Sequence, residues 1–277
     1  MNLSTLAEMG PWEWPKETWK LLHSTLVDRQ ADESERIIAA DLAGDPVVMN
    51  DTLAADLLEI IRRADEPEEL RAKAAISLGP VLEETDTIDF DELNAASVTQ
   101  STFRSIRDSL HRFYLDKGIP KEVRRRILEA SVRASEHWHK DAIKAAYASG
   151  DRDWILTAVF AMRWVRGFDT EILEALKSAD LEIHREAVEA AGNWELDAAW
   201  PHVVELVESA RTPKLLLLAA IGAVAGIRPR EAGTILSELV DSRDEDISAA
   251  VDEALMLAEV AEDEQDDEED DDERGFL

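Results

Sequence analysis

The chain carries a helix-length motif that returns along most of its length, an apolar anchor followed by small residues at fixed offsets. Leu70 is followed by Ala74, Ser77, Leu78 and Gly79, and Ile183 by Ala187, Ala190, Ala191 and Gly192. Leu215 is followed by Ala219, Gly222 and Ala223, and Ile247 by Val251, Ala254 and Leu255. Looser copies start at Val123, with Ile127 and Ala130, and at Trp154, with Ala158, Ala161 and Met162. From Val123 on, the anchors stand 31, 29, 32 and 32 residues apart. A repeat of that length holds one helical hairpin. Hairpins that cannot bury their apolar faces alone stack into a continuous array.

Composition agrees. Apolar residues make up 45% of the 277, enough for a continuous core. With eleven glycines and no Asn-Gly or Asp-Gly hairpin turn, nothing points to strands. The fold expected is all-α, a right-handed α-solenoid of about seven helix pairs. Each pair is read as a helix A followed by a helix B. The pairs fall near 16–28 and 32–43, 51–64 and 67–82, 99–116 and 120–135, 138–149 and 152–166, 169–179 and 181–193, 198–210 and 212–226, and 230–242 and 245–260. Pro11, Trp12, Trp14 and Pro15 form a stiff aromatic segment, so the first helix is expected only near Lys16. The solenoid domain spans 1–261. Polar residues 83–98 read as an insertion, which accounts for the 53 residues between Leu70 and Val123. Of the twelve residues Glu262 to Glu273, 11 are acidic, so 262–277 reads as a disordered tail. Asp65, Asp116, Asp151, Asp180 and Asp244 recur between A and B and are expected to cap the B helices.

The stretch Glu69-Leu70-Arg71-Ala72-Lys73-Ala74-Ala75-Ile76-Ser77-Leu78-Gly79 resembles the second helix of a HEAT repeat of the PBS-lyase HEAT-like form. Residues Asp180 to Gly192 repeat it. The resemblance covers roughly residues 16–260, and the whole chain resembles bacterial HEAT-repeat domain-containing proteins. It implies an array that grips partners along a concave wall of B helices. The first copy departs most, with Glu35 where an apolar anchor is wanted.

Charge and residue inventory narrow the function classes. There is no Cys, which excludes disulfides, a thiolate nucleophile and thiolate-bound metal. His137 and His139 stand two apart and diverge on a helix, and no His-x-x-x-His pair occurs, so no metal and no cofactor is expected. The amino terminus lacks a basic and apolar leader, and the longest apolar run, Leu215 to Ile227, is 13 residues. Neither a secretion signal nor a membrane span is expected, and the cytoplasm is the expected location. That apolar run reads as a helix buried on several sides. A net charge of −31 argues against phosphate backbones as ligands. The charge is segregated: −14 over residues 1–103, +3 over 104–185 and −20 over 186–277.

Within the central band the B helices carry arginines at offsets that the apolar stripe leaves open. Arg124 and Arg125 follow Val123, with Arg133 nearby. Arg163 and Arg166 flank Trp164, and His184 and Arg185 follow Ile183. These eight residues are the expected partner-binding set, with Trp164 as an exposed apolar anchor and the arginines as donors to a protein partner carrying an acidic segment. The expected function is a non-catalytic scaffold or adaptor. An alternative is a DNA-binding protein of the HEAT-like DNA glycosylase type, built on Trp154, Asp153, Arg163 and Trp194, which the net charge disfavours. A bilin lyase subunit is a third class, suggested by the name of the repeat alone.

Overall fold

The computed structural model describes residues 2–87 and 97–274, and among them there are helices and no strand. The chain divides into two compact units, Met1–Ala142 and Ile143–Leu277.

Unit 1 opens with a short helix that the sequence reading does not anticipate, α1 (Leu3–Ala7). Its start is set by Asn2, whose side chain accepts from the Thr5 N–H at 2.8 Å, and its two leucines are buried. Trp14 donates its indole N–H to the Leu6 carbonyl at 3.0 Å and ties this segment down. Three pairs follow. Helix α2 (Thr18–Val27) is followed by α3 (Glu33–Leu42), and α4 (Asp51–Arg62) by α5 (Glu68–Ile76). After α6 (Gly79–Thr87) come α7 (Gln100–Leu115) and α8 (Lys121–Ser131). The A helices α2, α4 and α7 pack successively on one another, as do the B helices α3, α5 and α8. Their shared core holds Leu22, Leu26, Leu57, Leu70, Ile106 and Val123.

One expected helix, 67–82, is broken. Helix α5 ends at Ile76 and α6 starts at Gly79. Pro80 has no N–H to continue the first helix and suits the opening turn of the second. Gly44 also approaches Ser77 so closely that a Cβ on it would lie 2.7 Å from the Ser77 carbonyl oxygen. Of the expected insertion, residues to Thr87 are helical and 88–96 lie outside the described residues.

The fourth residue of each B helix in unit 1 is an arginine that reaches back to a carbonyl before it. Arg36 donates to Leu26 O at 3.0 Å, Arg71 to Ile61 O at 3.0 Å and Arg124 to Ile119 O at 3.2 Å. Leu26 and Ile61 lie in the last turns of α2 and α4, where free carbonyls favour a cation.

Helix α9 (His137–Tyr147) spans the division between the units. Unit 2 continues with α10 (Arg152–Met162), α11 (Asp169–Ala175), α12 (Leu181–Asn193), α13 (Trp200–Glu208), α14 (Lys214–Ile227), α15 (Pro229–Ile235) and α16 (Glu245–Arg274). Here α10, α12, α14 and α16 stack as the B layer, and α11, α13 and α15 flank them. The small residues of the repeat explain the tightness of that stacking. A Cβ on Gly226 would lie 2.5 Å from the Gly192 carbonyl oxygen, so only glycine allows α14 to touch α12 there. The backbone of α16 stays helical to Arg274, through acidic residues expected to be disordered, and Gly275 to Leu277 lie outside the described residues.

The recurring aspartates divide into two kinds. Asp151, Asp180 and Asp244 cap α10, α12 and α16 through the N–H groups two and three residues on. Asp65 and Asp116 do not cap, because the N-cap positions of α5 and α8 are taken by Pro67 and Pro120. Asp65 instead pairs with Arg29 and Arg63, and Asp116 accepts the Gly118 N–H at 2.8 Å.

Candidate functional site

The B layer of unit 2 leaves an open groove of about 1150 Å³ along α12, α14 and α16. Helical periodicity decides what lines it. From α14 come Leu215, Leu218 and Gly222, one face at steps of three and four. From α16 come Asp246, Ala249, Ala250, Glu253 and Leu257, and from α12 come Glu182, Arg185, Glu189 and Gly192. Alanine and glycine on the facing turns keep the floor low. A Cβ added at Gly222 would meet nothing within 4 Å. The walls carry larger apolar groups that face water: Leu215 is 70% exposed and Leu257 57%. The run Leu215 to Ile227 is buried on several sides, as the sequence suggests, but open on the face of Leu215 and Gly222. Leu216, Ala220 and Val224 face the core, while Leu215 faces the groove.

At one corner four charged side chains join into a neutral cluster. Arg185 donates to Glu189 at 2.5 Å and pairs with Glu186. Arg163 pairs with Glu189 and lies 3.5 Å from Glu186. Glu186 is buried, and burial pushes its carboxyl upward. Glu189 adds to that, against the pull of Arg185 and Arg163. At the amino-terminal ends of the helices the pairing runs from repeat to repeat. Arg152 on α10 donates to Asp180 at 2.7 Å and pairs with Glu182, and Lys214 on α14 donates to Asp244 at 2.6 Å and to Asp246 at 2.6 Å. At the carboxyl ends, Asn193 and Trp194 close α10. Asn193 donates to Arg163 O at 2.8 Å and the Trp194 indole to Met162 O at 2.6 Å. Arg166 lies over the Trp194 ring, 4.5 Å from its centroid.

The sequence-predicted residues fall into two groups. Arg124, Arg125 and Arg133 belong to unit 1, and Arg163, Trp164, Arg166, His184 and Arg185 to unit 2. Arg125 is buried rather than open to solvent, because it folds along α8 onto Glu122 at 2.6 Å. Arg133 pairs with Glu83 at 2.9 Å. Trp164 is half-buried, not an exposed anchor. Arg163 and Arg185 are brought together, around Glu186 and Glu189. His184 turns away from them toward α13, where its Nε2 meets Nε2 of His202 at 2.7 Å. Burial holds both imidazoles below their usual value, so the neutral pair shares one N–H between two ring nitrogens. Leu215, read from the sequence as a repeat anchor, stands on the groove wall, and Leu216 takes the core position instead. Four consecutive leucines, 215–218, carry that signal, since one helix face can bury only some of them. Leu257, Glu195 and Glu253 are groove residues that the sequence reading passes over.

His139, one of the two histidines of the rejected metal pair, is fully buried in unit 1. It accepts the Glu136 N–H at Nδ1, 2.8 Å away, and its Nε2 lies 3.1 Å from Ser131 Oγ. Among the described residues no group of three metal-ligating side chains is present. No helix among them is long and apolar enough to cross a membrane.

No family model matches the chain, and no curated protein matches it. Solved structures do. Human deoxyhypusine hydroxylase, in complex with glycerol, is similar over 88% of this chain and 96% of its own, at 14% identity and a TM-score of 0.38. An engineered protein is similar over 88% of this chain and 97% of its own, at 18% identity and a TM-score of 0.33. The first of these is an enzyme. The expectation of a non-catalytic scaffold, which rested on the fold alone, therefore does not stand, because a helical array of this kind does not exclude catalysis. At that distance the likeness assigns no activity and no site to this chain.

Proposed function

We propose that unit 2 is a HEAT-type recognition module whose groove along α12, α14 and α16 takes a helical polypeptide segment by its apolar side. The observation that supports this is the pair of water-facing leucines, Leu215 and Leu257, standing on two neighbouring helices with the bare Gly222 backbone beside them. A channel with a low floor of alanine and glycine between apolar walls admits a helix ridge. Covering two leucine side chains contributes roughly 3–6 kcal/mol before the cost of association. Micromolar binding needs about 8 kcal/mol net, so the charged walls have to supply specificity and part of the affinity.

The test places a photo-crosslinking amino acid at position 222, where the space is open, and compares the chain with its Leu215→Asp and Leu257→Asp variants in cells. The expected result is a polypeptide adduct that both variants lose while their thermal unfolding stays unchanged. Adducts that persist in the folded variants would overturn the groove as the binding site.

A further inference from the structure

The groove's charge selects its occupant. This step rests on the proposed function and deepens it. Two cations line the groove, Arg163 and Arg185, and five carboxylates do, Glu182, Glu189, Glu195, Asp246 and Glu253. Both arginines are held by Glu186 and Glu189, so no lining cation is left for an acidic ligand. Glu182 is paired with Arg152 and Asp246 with Lys214. Glu195 and Glu253 are exposed and enter no ion pair among the described residues. The uncompensated charge of the rim is therefore negative, and it sits beside the apolar wall formed by Leu257.

Glu195 has a second distinguishing property. It is the one non-glycine residue among those described with positive φ, at 53°. It follows α12 in a Schellman turn, with the Leu196 N–H bonded to Ala191 O at 3.0 Å and the Glu195 N–H to Gly192 O at 3.1 Å. Glycine is the least costly residue there, by about 1 kcal/mol. The chain instead sets a carboxylate residue there, whose backbone position at the groove rim is fixed by the turn.

We propose that the occupant is a basic amphipathic helix, with lysine or arginine flanking its apolar stripe, and that Glu195 and Glu253 are the residues that read those flanks. The stripe covers Leu215 and Leu257, and the flanking cations reach the two free carboxylates. An acidic helix meets five carboxylates and no free cation.

The test is fluorescence anisotropy of the full chain at physiological salt, with three labelled peptides of about 18 residues, some 27 Å as helices. One is an amphipathic Leu/Lys helix. The second carries Glu in place of Lys, and the third has the Leu/Lys composition rearranged so that the leucines share no face. Because the third keeps the charge of the first, it separates groove binding from attraction to a chain of net charge −31. The expected result is that the first binds at least about tenfold tighter than either other, and that the Glu195→Gln/Glu253→Gln double variant loses most of that margin. Equal binding of the Leu/Glu peptide, or a folded double variant that keeps full affinity for the Leu/Lys peptide, would overturn the charge assignment. Leu215→Asp separates the two levels: if it weakens all helical peptides alike, the groove stands without the charge rule. If it weakens none, the groove itself fails.

Discussion

Gly192 and Ala223 touch backbone to backbone: a Cβ on Gly192 would lie 2.7 Å from the Cα of Ala223. Helices α12 and α14 thus meet at this point with no side chain between their backbones. Gly192→Ala is expected to push α14 outward and to cost about 1–3 kcal/mol. Gly222→Ala, at the residue next to Ala223 but facing open space, is expected to be neutral or to stabilise by up to about 1 kcal/mol through helix propensity. Urea unfolding of the two variants side by side decides this. Similar losses in both would mean that the contact at Gly192 is not tight.

Glu195 is expected to trade stability for charge. Glu195→Gly relieves the left-handed backbone and should raise stability by about 0.5–1 kcal/mol, about 1–2 °C in Tm for a protein of this size. Differential scanning calorimetry reads it. A lower Tm would show that the Glu195 side chain makes a stabilising contact that outweighs its backbone cost.

In unit 1 the pair Arg36–Glu66 is buried on both sides, with Arg36 Nη1 at 2.6 Å and Nη2 at 3.0 Å from the two carboxylate oxygens. Arg36 also holds the Leu26 carbonyl, so it links α2, α3 and the turn before α5. Hydrogen bonding from Arg36, with its charge added, holds the Glu66 carboxyl below the usual carboxylate range against the effect of burial. Arg36→Met or Glu66→Leu alone leaves a buried charge unpaired and is expected to cost about 3–5 kcal/mol. The double variant should lose less than the two losses added, by about 2 kcal/mol or more, in a denaturant double-mutant cycle. Simple additivity would show that the two groups do not act as a pair.

The helix pairs were legible because anchor and small-residue offsets report a 3.6-residue period directly, and the fourteen expected helices fall near their places, the one at 67–82 as two pieces, α5 and α6. Helix α1 was not legible, since five residues with two leucines carry no period. Of the arginines expected at open offsets, Arg125 is buried, and Arg163 and Arg185 are half-buried. What a one-dimensional pattern could not show is that the neighbouring helix supplies Glu186 and Glu189 to Arg163 from 23 and 26 residues away. Ion pairing across repeats depends on stacking distance, whereas the sequence pattern describes one helix at a time. The same limit hid the groove, whose apolar wall at Leu215 looks like core until the position of α16 is known.

Asp180 and Asp65 occupy the same place in their repeats and should respond differently to the same change. Asp180 caps α12 through the Glu182 and Ile183 N–H groups and accepts from Arg152, which together hold its carboxyl below the usual range. Asp180→Ala is expected to cost about 1–2 kcal/mol. Asp65 caps nothing, and its surface pairs with Arg29 and Arg63 are screened by solvent, so Asp65→Ala is expected to cost less than Asp180→Ala. Chemical denaturation of both variants, with the order reversed, would remove the distinction drawn between capping and non-capping turns.

His139 sets a pH dependence with a definite sign. Burial is the main cause that pushes its imidazole down to about 4. His111 and Arg107 add to it, while Glu136 opposes it. With Nδ1 accepting from the Glu136 backbone, the proton belongs on Nε2, which donates to Ser131 Oγ while that hydroxyl donates to Leu128 O. Protonating Nδ1 would break the first bond and place a cation in the core. In the unfolded chain the imidazole titrates near 6.5. Above that value both states are neutral and the stabilisation is fully present. As pH falls the unfolded state takes up its proton first, so stability declines from about pH 6.5 toward pH 4. At pH 5 the loss is expected to be about 2 kcal/mol, with about 3 kcal/mol in all by pH 4. His184 and His202, also held low, act in the same direction in unit 2, so the measurement is a difference. Unfolding free energies of the chain and of His139→Gln are compared at pH 7 and pH 5. The variant should lose about 2 kcal/mol less than the natural chain over that interval, and an equal loss in both would mean that His139 carries its proton without leaving the fold.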